Sequence, residues 1–243
     1  MKRSVINQAI DEALVFFKQR QFPLPPFAYW SFDKWFNQRA VMSEIIDTRL
    51  GWDVTDFGLG NFNDFGRIIF TLRNGNIHNP NYPKKYCQKV MYLGEGQKSP
   101  IHFHKSKMED IYNQGGGNIL MRLWKLLPDK KLSTANIKLN IDGTKRIIKS
   151  GETLRLQPGE SICVVPETYH QFWAGVGSGP VLSTEISSVN DDVTDNFWYA
   201  KIRRFPFIDE DEPRRYILCS EYTNLFQDAF NSPQLCCGVQ YNE

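Results

Sequence analysis

The strongest constraint on the fold is a series of short apolar stretches, separated by turn residues, between Asn118 and Val165. In the first of them apolar residues take every second position, which is the period of a strand with one buried face. Asp142-Gly143 and Pro158-Gly159 lie between the stretches, and Asp-Gly is typical of a tight hairpin. The alternating apolar residues are Ile119, Met121, Leu123, Ile137, Leu139 and Ile141, and the shorter stretches are Thr153–Leu156 and Ser161–Val165. Short strands at this spacing predict a mostly β fold, either an antiparallel sandwich or a small barrel.

The N-terminal region has a helical pattern instead. Between Ile6 and Phe17 apolar residues recur at intervals of three and four, which predicts an amphipathic helix with Ser4 as its N-cap. The proline-rich segment Phe22–Pro26 must end this helix, because proline lacks the amide hydrogen that a helix needs. A second short helix is expected after Ser31.

Length and charge exclude several classes of protein. The 243 residues carry 29 basic and 27 acidic side chains, a net charge of +2, which offers no electrostatic footprint for nucleic acid or anionic lipid. No run of apolar residues is long enough to cross a membrane, and polar residues interrupt any signal-peptide core at the N-terminus. Because no flexible linker is evident, we expect one domain over residues 1–243, with a helical extension of about residues 1–60 packed on the outside.

The cysteines favour a reducing compartment. They are an odd and scattered set, Cys87, Cys163, Cys219, Cys236 and Cys237, with no C-x-x-C motif. A disulfide framework is therefore not expected, a cytoplasmic location fits better, and adjacent Cys236 and Cys237 are expected to be reduced thiols.

One strongly charged segment lies near the C-terminal end. Four consecutive acids, Asp209–Glu212, precede Pro213 and two arginines. The composition predicts a solvated loop, and a contact with a second subunit is the alternative.

Two of the four histidines form the motif His102-Phe103-His104. Residues two apart in a strand point to the same face, so both imidazoles are expected to face one way. Glu109 could return a carboxylate to that face after a bend, and His170 could supply a third imidazole from a distant strand. Three imidazoles and one carboxylate suit a divalent metal such as Mn, Fe, Co, Ni or Zn. His-x-His alone is often a surface or core feature, and His78, which has no such partners, is expected in a loop.

The spacing around these histidines resembles the first sequence motif of the cupins. Gly96, five residues, His102, one residue, His104, four residues, Glu109, six residues and Gly116 match it at every position. The second motif is matched less well, because the segment from Gly159 through Pro166 to His170 lacks the inner glycine and is shifted by one residue. The resemblance implies a cupin-type antiparallel β-barrel, or jelly roll, with the N-terminal helices packed outside. It also implies a metal held by His102, His104, Glu109 and His170.

Three longer segments resemble the D-lyxose isomerases, a family within the cupins. They are Phe22–Trp30, His102–Ile111 and Glu185–Asp192, and the likeness extends over most of the chain. The resemblance implies a cytoplasmic aldose–ketose isomerase that interconverts D-lyxose and D-xylulose, and often D-mannose and D-fructose. It further implies Mn²⁺ as the metal, a free sugar as the substrate and a homodimer as the assembly.

Isomerising an aldose moves a proton between C2 and C1, so the site needs a base at carbon and groups that hold the oxygens. In Val181–Ser187, strand alternation puts Glu185 on one polar face with Ser183 and Ser187. If that face points inward, Glu185 is the candidate base, with its pKa raised by burial to about 6–7. An exposed edge-strand carboxylate is the alternative. Lys107, between two expected ligands, is the candidate partner at the sugar oxygens, and a solvated turn lysine is its alternative.

Four further residues are weaker candidates for sugar contacts, namely Asp191, Asp192, Arg203 and Trp173. The tandem acids offer hydrogen-bond acceptors to hydroxyl groups, but they also suit an ordinary loop. Arg203-Arg204 suits surface ion pairs equally well. Trp173 offers an aromatic face near His170, although an aromatic residue at such a position usually belongs to the core.

Two other classes of function stay open on the residues alone. A cupin oxygenase or oxalate-type enzyme uses three histidines and one glutamate with redox-active Mn or Fe. A non-catalytic sugar-binding cupin is disfavoured, because no helix-turn-helix or basic segment is evident. The sequence also leaves open whether hydrogen moves as a proton through an enediol or as a hydride.

Overall fold

A computed structural model of the chain describes residues 1–230. Four α-helices are present: α1 Arg3–Gln19, α2 Phe32–Gln38, α3 Ser43–Asp47 and α4 Tyr222–Phe230. The strands are β1 Gly51–Thr55, β2 Arg67–Arg73, β3 Tyr86–Leu93, β4 His102–Phe103, β5 Glu109–Gly116, β6 Ile119–Lys125, β7 Ile137–Ile141, β8 Thr144–Ile148, β9 Leu154–Leu156, β10 Ser161–Val164, β11 Thr168–Ala174, β12 Val181–Ser188 and β13 Phe197–Trp198. Short 3₁₀ helices occupy Pro26–Tyr29 and Cys219–Glu221.

The strands form two antiparallel sheets. The larger has the order β1-β2-β3-β12-β5-β10-β7-β8, and the smaller has the order β13-β4-β11-β6-β9. The mostly β, cupin-type fold with N-terminal helices is confirmed. Within residues 1–230, however, each strand pairs only with strands of its own sheet, so the structure is two facing sheets and not a closed barrel.

The predicted hairpin joins β7 and β8. Ile141 pairs with Thr144, and the two turn residues Asp142 and Gly143 have φ angles of +48° and +75°. Positive φ at both central residues is what a type I′ turn requires, and Asp-Gly adopts it at low cost.

The main apolar core lies between the two sheets, and at one end of it the buried residues are polar. On β3, the inward-facing Lys89 is followed two residues later by the apolar Met91. On β5, the inward-facing Glu109 is followed in the same way by Ile111. On β11, His170 is likewise followed by the apolar Phe172. All these residues are buried, so charged and imidazole groups are brought together at one end of a hydrophobic interior. Buried polar groups at this density need one another as partners.

Helix α1 packs on the outer face of β1, β2 and β3, where its apolar stripe joins a second buried cluster. The helix begins at Arg3, one residue before the predicted N-cap. Ser4 is therefore inside the helix, and its backbone N–H donates to Asp211 at 2.9 Å. A carboxylate from a distant segment thus satisfies a donor that an N-cap side chain would otherwise have to satisfy.

The acidic segment Asp209–Glu212 is exposed, as predicted, but it also binds the start of α1. Glu210 accepts two hydrogen bonds from Arg3, at 2.7 and 2.8 Å. Glu212 accepts one from Asn7 at 3.1 Å. The segment therefore makes an intramolecular contact, which neither sequence-based expectation included.

The helix expected after Ser31 is α2, and the Ser31 side chain accepts a hydrogen bond from the Lys34 N–H. Trp35 of α2 packs in a third cluster with Tyr222 and Phe226 of α4. Helical structure ends earlier than the expected boundary near residue 60, because β1 already begins at Gly51.

None of the helices within the described part of the chain is long and apolar enough to cross a membrane. Cys87, Cys163 and Cys219 are free thiols, as the sequence predicts. Cys236 and Cys237 lie outside the described residues.

Candidate metal and active site

Three histidines meet at the polar end of the interior. His102 on β4 is the register partner of His170 on β11, and His104 follows directly after β4. The ring centroids of His102 and His170 are 4.2 Å apart, and those of His104 and His170 are 5.5 Å apart. One potential ligand atom from each ring lies within 4.8 Å of the other two. The predicted juxtaposition of the His-x-His motif with the distant histidine is therefore present.

Each of these rings makes its Nδ1 hydrogen bond to a backbone carbonyl. His102 bonds to Pro100 at 2.9 Å, His104 to Asp195 at 2.7 Å and His170 to Thr168 at 3.1 Å. A carbonyl only accepts, so this network assigns the proton to Nδ1 and leaves each Nε2 as a lone-pair donor. Such a bond on the outer nitrogen is the usual way a protein fixes a metal-binding imidazole.

Burial keeps the imidazoles of His102 and His104 neutral. Burial and the neighbouring rings of His170 and His104 hold the pKa of His102 well below its usual range. Burial and the adjacent Lys107 ammonium lower the pKa of His104 to about 4. A neutral imidazole is the form that binds a metal.

Glu109, the first residue of β5, brings a carboxylate to the same point. Its Oε1 lies 3.0 Å from His170 Nε2, and its Oε2 lies 3.7 Å from His104 Nε2. Within residues 1–230, His104 Nε2, His170 Nε2 and Glu109 Oε1 are buried without a hydrogen-bond partner. Buried polar atoms are rarely left unpaired, so converging orphaned atoms fit a bound cation. Three nitrogens and one oxygen form a donor set of intermediate hardness that suits a first-row divalent metal.

Lys107 connects this cluster to Glu185. Its Nζ lies 2.6 Å from Glu109 Oε2 and 2.8 Å from Glu185 Oε1. Glu185, on β12, also lies 3.3 Å from Lys89 Nζ, its cross-strand partner on β3. All four side chains are buried, so opposite charges alternate through the interior.

The charges in this chain stabilise one another. Burial alone would raise the pKa of Glu185, but Lys107 and Lys89 hold it below the ordinary value. Burial likewise opposes the Lys107 ammonium, but Glu109 and Glu185 raise the pKa of that group. The expected upward pKa shift of Glu185 is therefore wrong, because the two flanking ammonium groups outweigh burial.

Asp192 and Arg204 form another wall of the same cavity. Arg204 makes a bidentate ion pair with Asp53, and its Nη2 lies 3.5 Å from Asp192. Asp192 also accepts hydrogen bonds from Asn190 at 3.0 Å and Asn196 at 2.8 Å. Trp198 of β13 stacks on the His102 ring, with centroids 4.7 Å apart. The cavity thus has a polar wall and an aromatic face beside the histidines.

Comparison with known proteins decides the family. A sequence profile of the D-lyxose isomerase family matches residues 1–222. The chain belongs to the D-lyxose isomerase family. It is 45% identical over 223 residues to a D-lyxose/D-mannose isomerase of Escherichia coli O157:H7, covering 91% of this chain and 98% of that relative. Identity to a D-lyxose/D-mannose isomerase of Serratia proteamaculans is 42%, with the same coverage. The chain is therefore a sugar isomerase that interconverts an aldose and a ketose.

Solved structures of similar shape agree on the fold. An L-ribose isomerase of Cellulomonas parahominis with L-ribose has a TM-score of 0.55 at 14% identity, covering 86% of this chain and 98% of that chain. The L-ribose isomerase of Acinetobacter sp. DL28 in complex with L-ribose has a TM-score of 0.56 at 15% identity, with the same coverage. At this identity the likeness establishes shared architecture alone.

Three residues predicted to contact sugar lie away from the cavity of the isomerase. Asp191 accepts backbone hydrogen bonds from Val193 and Thr194 and organises a turn. Arg203 is exposed and lies beside Gly58, on another part of the surface. Trp173 alternates with the inward-facing residues of β11 and lies between the cations of Lys98 and Arg122. His78 is exposed in a loop, as predicted, and lies 3.3 Å from Asp191.

The residues that line the cavity of the isomerase and that sequence reasoning did not select include Arg67, Lys89, Trp198 and Arg204. A signal existed for Lys89 and Arg67, because a charged residue inside an apolar strand pattern needs a partner. No comparable signal existed for Trp198, whose strand β13 has two residues. Arg204 was weighed only together with its neighbour Arg203.

Proposed function

We propose that this isomerase uses Mn²⁺ and interconverts D-lyxose with D-xylulose, and also D-mannose with D-fructose. The observation that carries the proposal is the convergence of three lone-pair nitrogens and Glu109 beside the buried Lys107–Glu185 pair. D-Lyxose and D-mannose are the sugars for which the relatives that are 45% and 42% identical are named. Coverage of 98% of each relative supports a common activity for the full domain.

The metal would be held by His102, His104, His170 and Glu109. Their geometry supports this set, because the orphaned atoms of three of them point to one another. When bound, the metal supplies a Lewis acid that polarises the sugar carbonyl and neutralises charge developing on oxygen.

Glu185 is proposed as the base at carbon. Its low pKa keeps it ionised at neutral pH, so it can accept the proton from C2 of the aldose. The same group then returns the proton to C1, which produces the ketose. Ser183 and Ser187 on the same face are also buried, so the carboxylate lies in a buried polar row, where Lys107 and Lys89 hold it.

Lys107 is proposed to serve the oxygens. As the C2 proton leaves, its ammonium stabilises the developing charge and donates a proton to O1. As C2 becomes the carbonyl, the O2 hydroxyl proton passes to the Lys107 amine and restores the ammonium. The Lys107 charge is maintained by both carboxylates at 2.6 and 2.8 Å. No cofactor other than the metal is needed for this transfer.

Sugar hydroxyls are proposed to bind Asp192 and Arg204. Both line the cavity, whereas Asp191 and Arg203 do not. Asp192 is therefore kept from the predicted residues, and Arg204 takes the place of Arg203. Trp198 is proposed as the aromatic face for the sugar, in place of Trp173.

Cytoplasmic location and a homodimer are also proposed, on the family resemblance. The free thiols of Cys87, Cys163 and Cys219 are compatible with a reducing compartment.

The experiment that tests the function is a screen of free aldoses with Mn²⁺-loaded protein, reading ketose formation in the absence of oxygen. We expect kcat/KM for D-lyxose to exceed that for its C2 epimer D-xylose by about ten- to a hundredfold, since an unpaired buried polar group costs about 1–3 kcal/mol. Chelator should abolish turnover and Mn²⁺ should restore it. Equal values for the two sugars, turnover of phosphorylated sugars only, or full activity without metal would contradict the proposal.

A further inference from the structure

The turn that joins His104 to Lys107 is held by one carboxylate, that of Asp195. Its Oδ1 accepts the backbone N–H groups of Lys105 at 2.7 Å and Ser106 at 3.0 Å. Its Oδ2 accepts the N–H of Lys107 at 2.8 Å. Three successive N–H groups therefore point at one side chain. Hydrogen bonds of this charge-assisted kind are stronger than neutral ones.

The same residue also orients a histidine. The backbone carbonyl of Asp195 accepts the Nδ1–H of His104 at 2.7 Å. This bond turns the Nε2 of His104 toward His170 and Glu109. Asp195 thus contacts both ends of the turn, the imidazole end with its carbonyl and the lysine end with its carboxylate.

Asp195 is itself held in a compact loop. Its N–H donates to the carbonyl of Asp191 at 3.1 Å, and the Asp191 carboxylate accepts the N–H groups of Val193 and Thr194. The loop leads directly into β13, which pairs with β4 and therefore with the strand of His102. The position of Asp195 is consequently fixed from both sides.

We propose that Asp195 is a positioning residue that couples the metal cluster to the proton-transfer pair. It sets the direction of the His104 Nε2 lone pair and the place from which the Lys107 ammonium reaches Glu109 and Glu185. The inference rests on the proposed function, because it assigns His104 to the metal and Lys107 to the sugar oxygens. Asp195 does not line the cavity, so it acts through these two residues and not on the substrate.

The test uses Asp195→Ala and Asp195→Asn in the full-length protein. Alanine removes every side-chain acceptor, whereas asparagine keeps one oxygen and places an NH₂ group against the remaining N–H groups. Asp129→Asn is the matched control, because Asp129 also accepts a backbone N–H, from Lys131 at 3.2 Å, in an exposed loop outside the cavity.

The first readout is the dissociation constant for Mn²⁺, taken from the EPR signal of the free ion and independent of turnover. We expect it to rise about tenfold in Asp195→Ala, the lower end of the usual loss when a ligand's support is removed. The carbonyl that accepts the His104 Nδ1–H remains in this variant, but the carboxylate bonds that hold the loop of Asp195 to the turn after His104 are lost. The second readout is kcat at saturating Mn²⁺, which should stay at least about tenfold below wild type because Lys107 is displaced. Asp195→Asn should recover part of both losses, and Asp129→Asn should change neither.

Two results would overturn the proposal. The first is a lower melting temperature with wild-type Mn²⁺ affinity in both Asp195 variants, which would show that the carboxylate only stabilises the loop. The second is a wild-type kcat of Asp195→Ala at saturating Mn²⁺, which would show that Lys107 keeps its position without the Asp195 carboxylate. If Asp195→Ala does not fold, the Asn variant decides by the same two readouts. Because the Mn²⁺ measurement needs no sugar, failure of the proposed substrate does not affect it.

Discussion

Lys107 lies between two buried carboxylates, and its position separates their roles. Glu109 also contacts His170 and His104, whereas Glu185 contacts Lys89 on the opposite side. A carboxylate beside the imidazoles is suited to a metal, while one held between two ammonium groups stays ionised, as the proposed base must be. The ammonium between them keeps both ionised and prevents repulsion across the site.

Replacing Glu185 by glutamine should remove the base while preserving the volume of the side chain. We expect kcat to fall by about a hundred- to ten-thousandfold, the usual cost of losing a positioned base. Mn²⁺ affinity should change little, because Glu185 does not contact the histidine cluster. Steady-state kinetics and Mn²⁺ titration measure the two effects separately, with exposed Glu152→Gln as the control.

The same reaction in deuterated water distinguishes the routes for hydrogen. A proton held by Glu185 exchanges with solvent, so deuterium should appear on C1 of the ketose. Complete retention of the substrate hydrogen would indicate a hydride shift, and Glu185 would then be a hydroxyl-binding residue. Wild-type turnover by Glu185→Gln would contradict the assignment outright.

How well a single residue could be predicted depends on whether its role was local. His102, His104 and Glu109 follow from one short motif, since strand geometry alone puts both imidazoles on one face. Arg203 and Arg204 are adjacent in irregular backbone, where no periodicity distinguishes the inward residue from the outward one. Strand alternation applied to β11 would have excluded Trp173, because it follows the inward-facing Phe172.

At the scale of elements, α1 is fixed at its start by a contact between distant parts of the chain. Arg3 is fully buried and bonds both Glu210 and Glu221, the latter at 2.6 Å. Ser4 and Asn7 bond the neighbouring acids Asp211 and Glu212. This explains why local sequence gave the wrong N-cap: the acceptor that the helix start uses is more than 200 residues away along the chain.

Replacing Arg3 by alanine should therefore destabilise the protein strongly. Glu221 is only 8% exposed and would keep one cationic partner, Arg214, whose Nε lies 3.1 Å away. We therefore expect a loss at the lower end of the about 3–5 kcal/mol that breaking a buried ion pair costs. The free energy of unfolding in urea measures this. Lys18→Ala, an exposed position on the same helix, is the control and should change it by no more than about 0.5 kcal/mol. Equal effects of the two substitutions would show that the ion cluster adds no stability.

Strands β1 and β2 were missed from sequence for a related reason. Nearly all of their residues are buried, because α1 covers the outer face while the core covers the inner one. Alternation of apolar and polar residues disappears when both faces are buried. Strands β5 and β7 keep one exposed face, and their alternating burial matches the periodicity that predicted a β fold.

For the whole molecule, the two-sheet architecture concentrates buried ionisable groups at one end of an apolar core. Sequence patterns predicted the sheets, but the pairing of charges across them depends on register, as with Lys89 opposite Glu185. Such a site is tolerated because each charge has a partner, and it makes stability sensitive to any change in protonation.

That sensitivity predicts the pH dependence of the metal-free protein. His104 has a pKa of about 4 when folded, while an unfolded histidine has one of about 6.5, so unfolding takes up a proton between these values. The stability associated with neutral His104 is thus complete above about pH 6.5 and is lost as the pH falls toward 4, by about 3 kcal/mol. His102, whose pKa is also lowered, should add to the loss in the same direction.

Urea unfolding at a series of pH values in chelator measures how the free energy of unfolding changes with pH. His104→Asn keeps a donor for the Asp195 carbonyl but no titrating ring, so its slope should be smaller by about one proton. His78→Asn, in an exposed loop outside the cavity, is the matched control variant. An unchanged slope in His104→Asn would mean that this ring binds as many protons in the folded protein as in the unfolded one, and that burial does not lower its pKa.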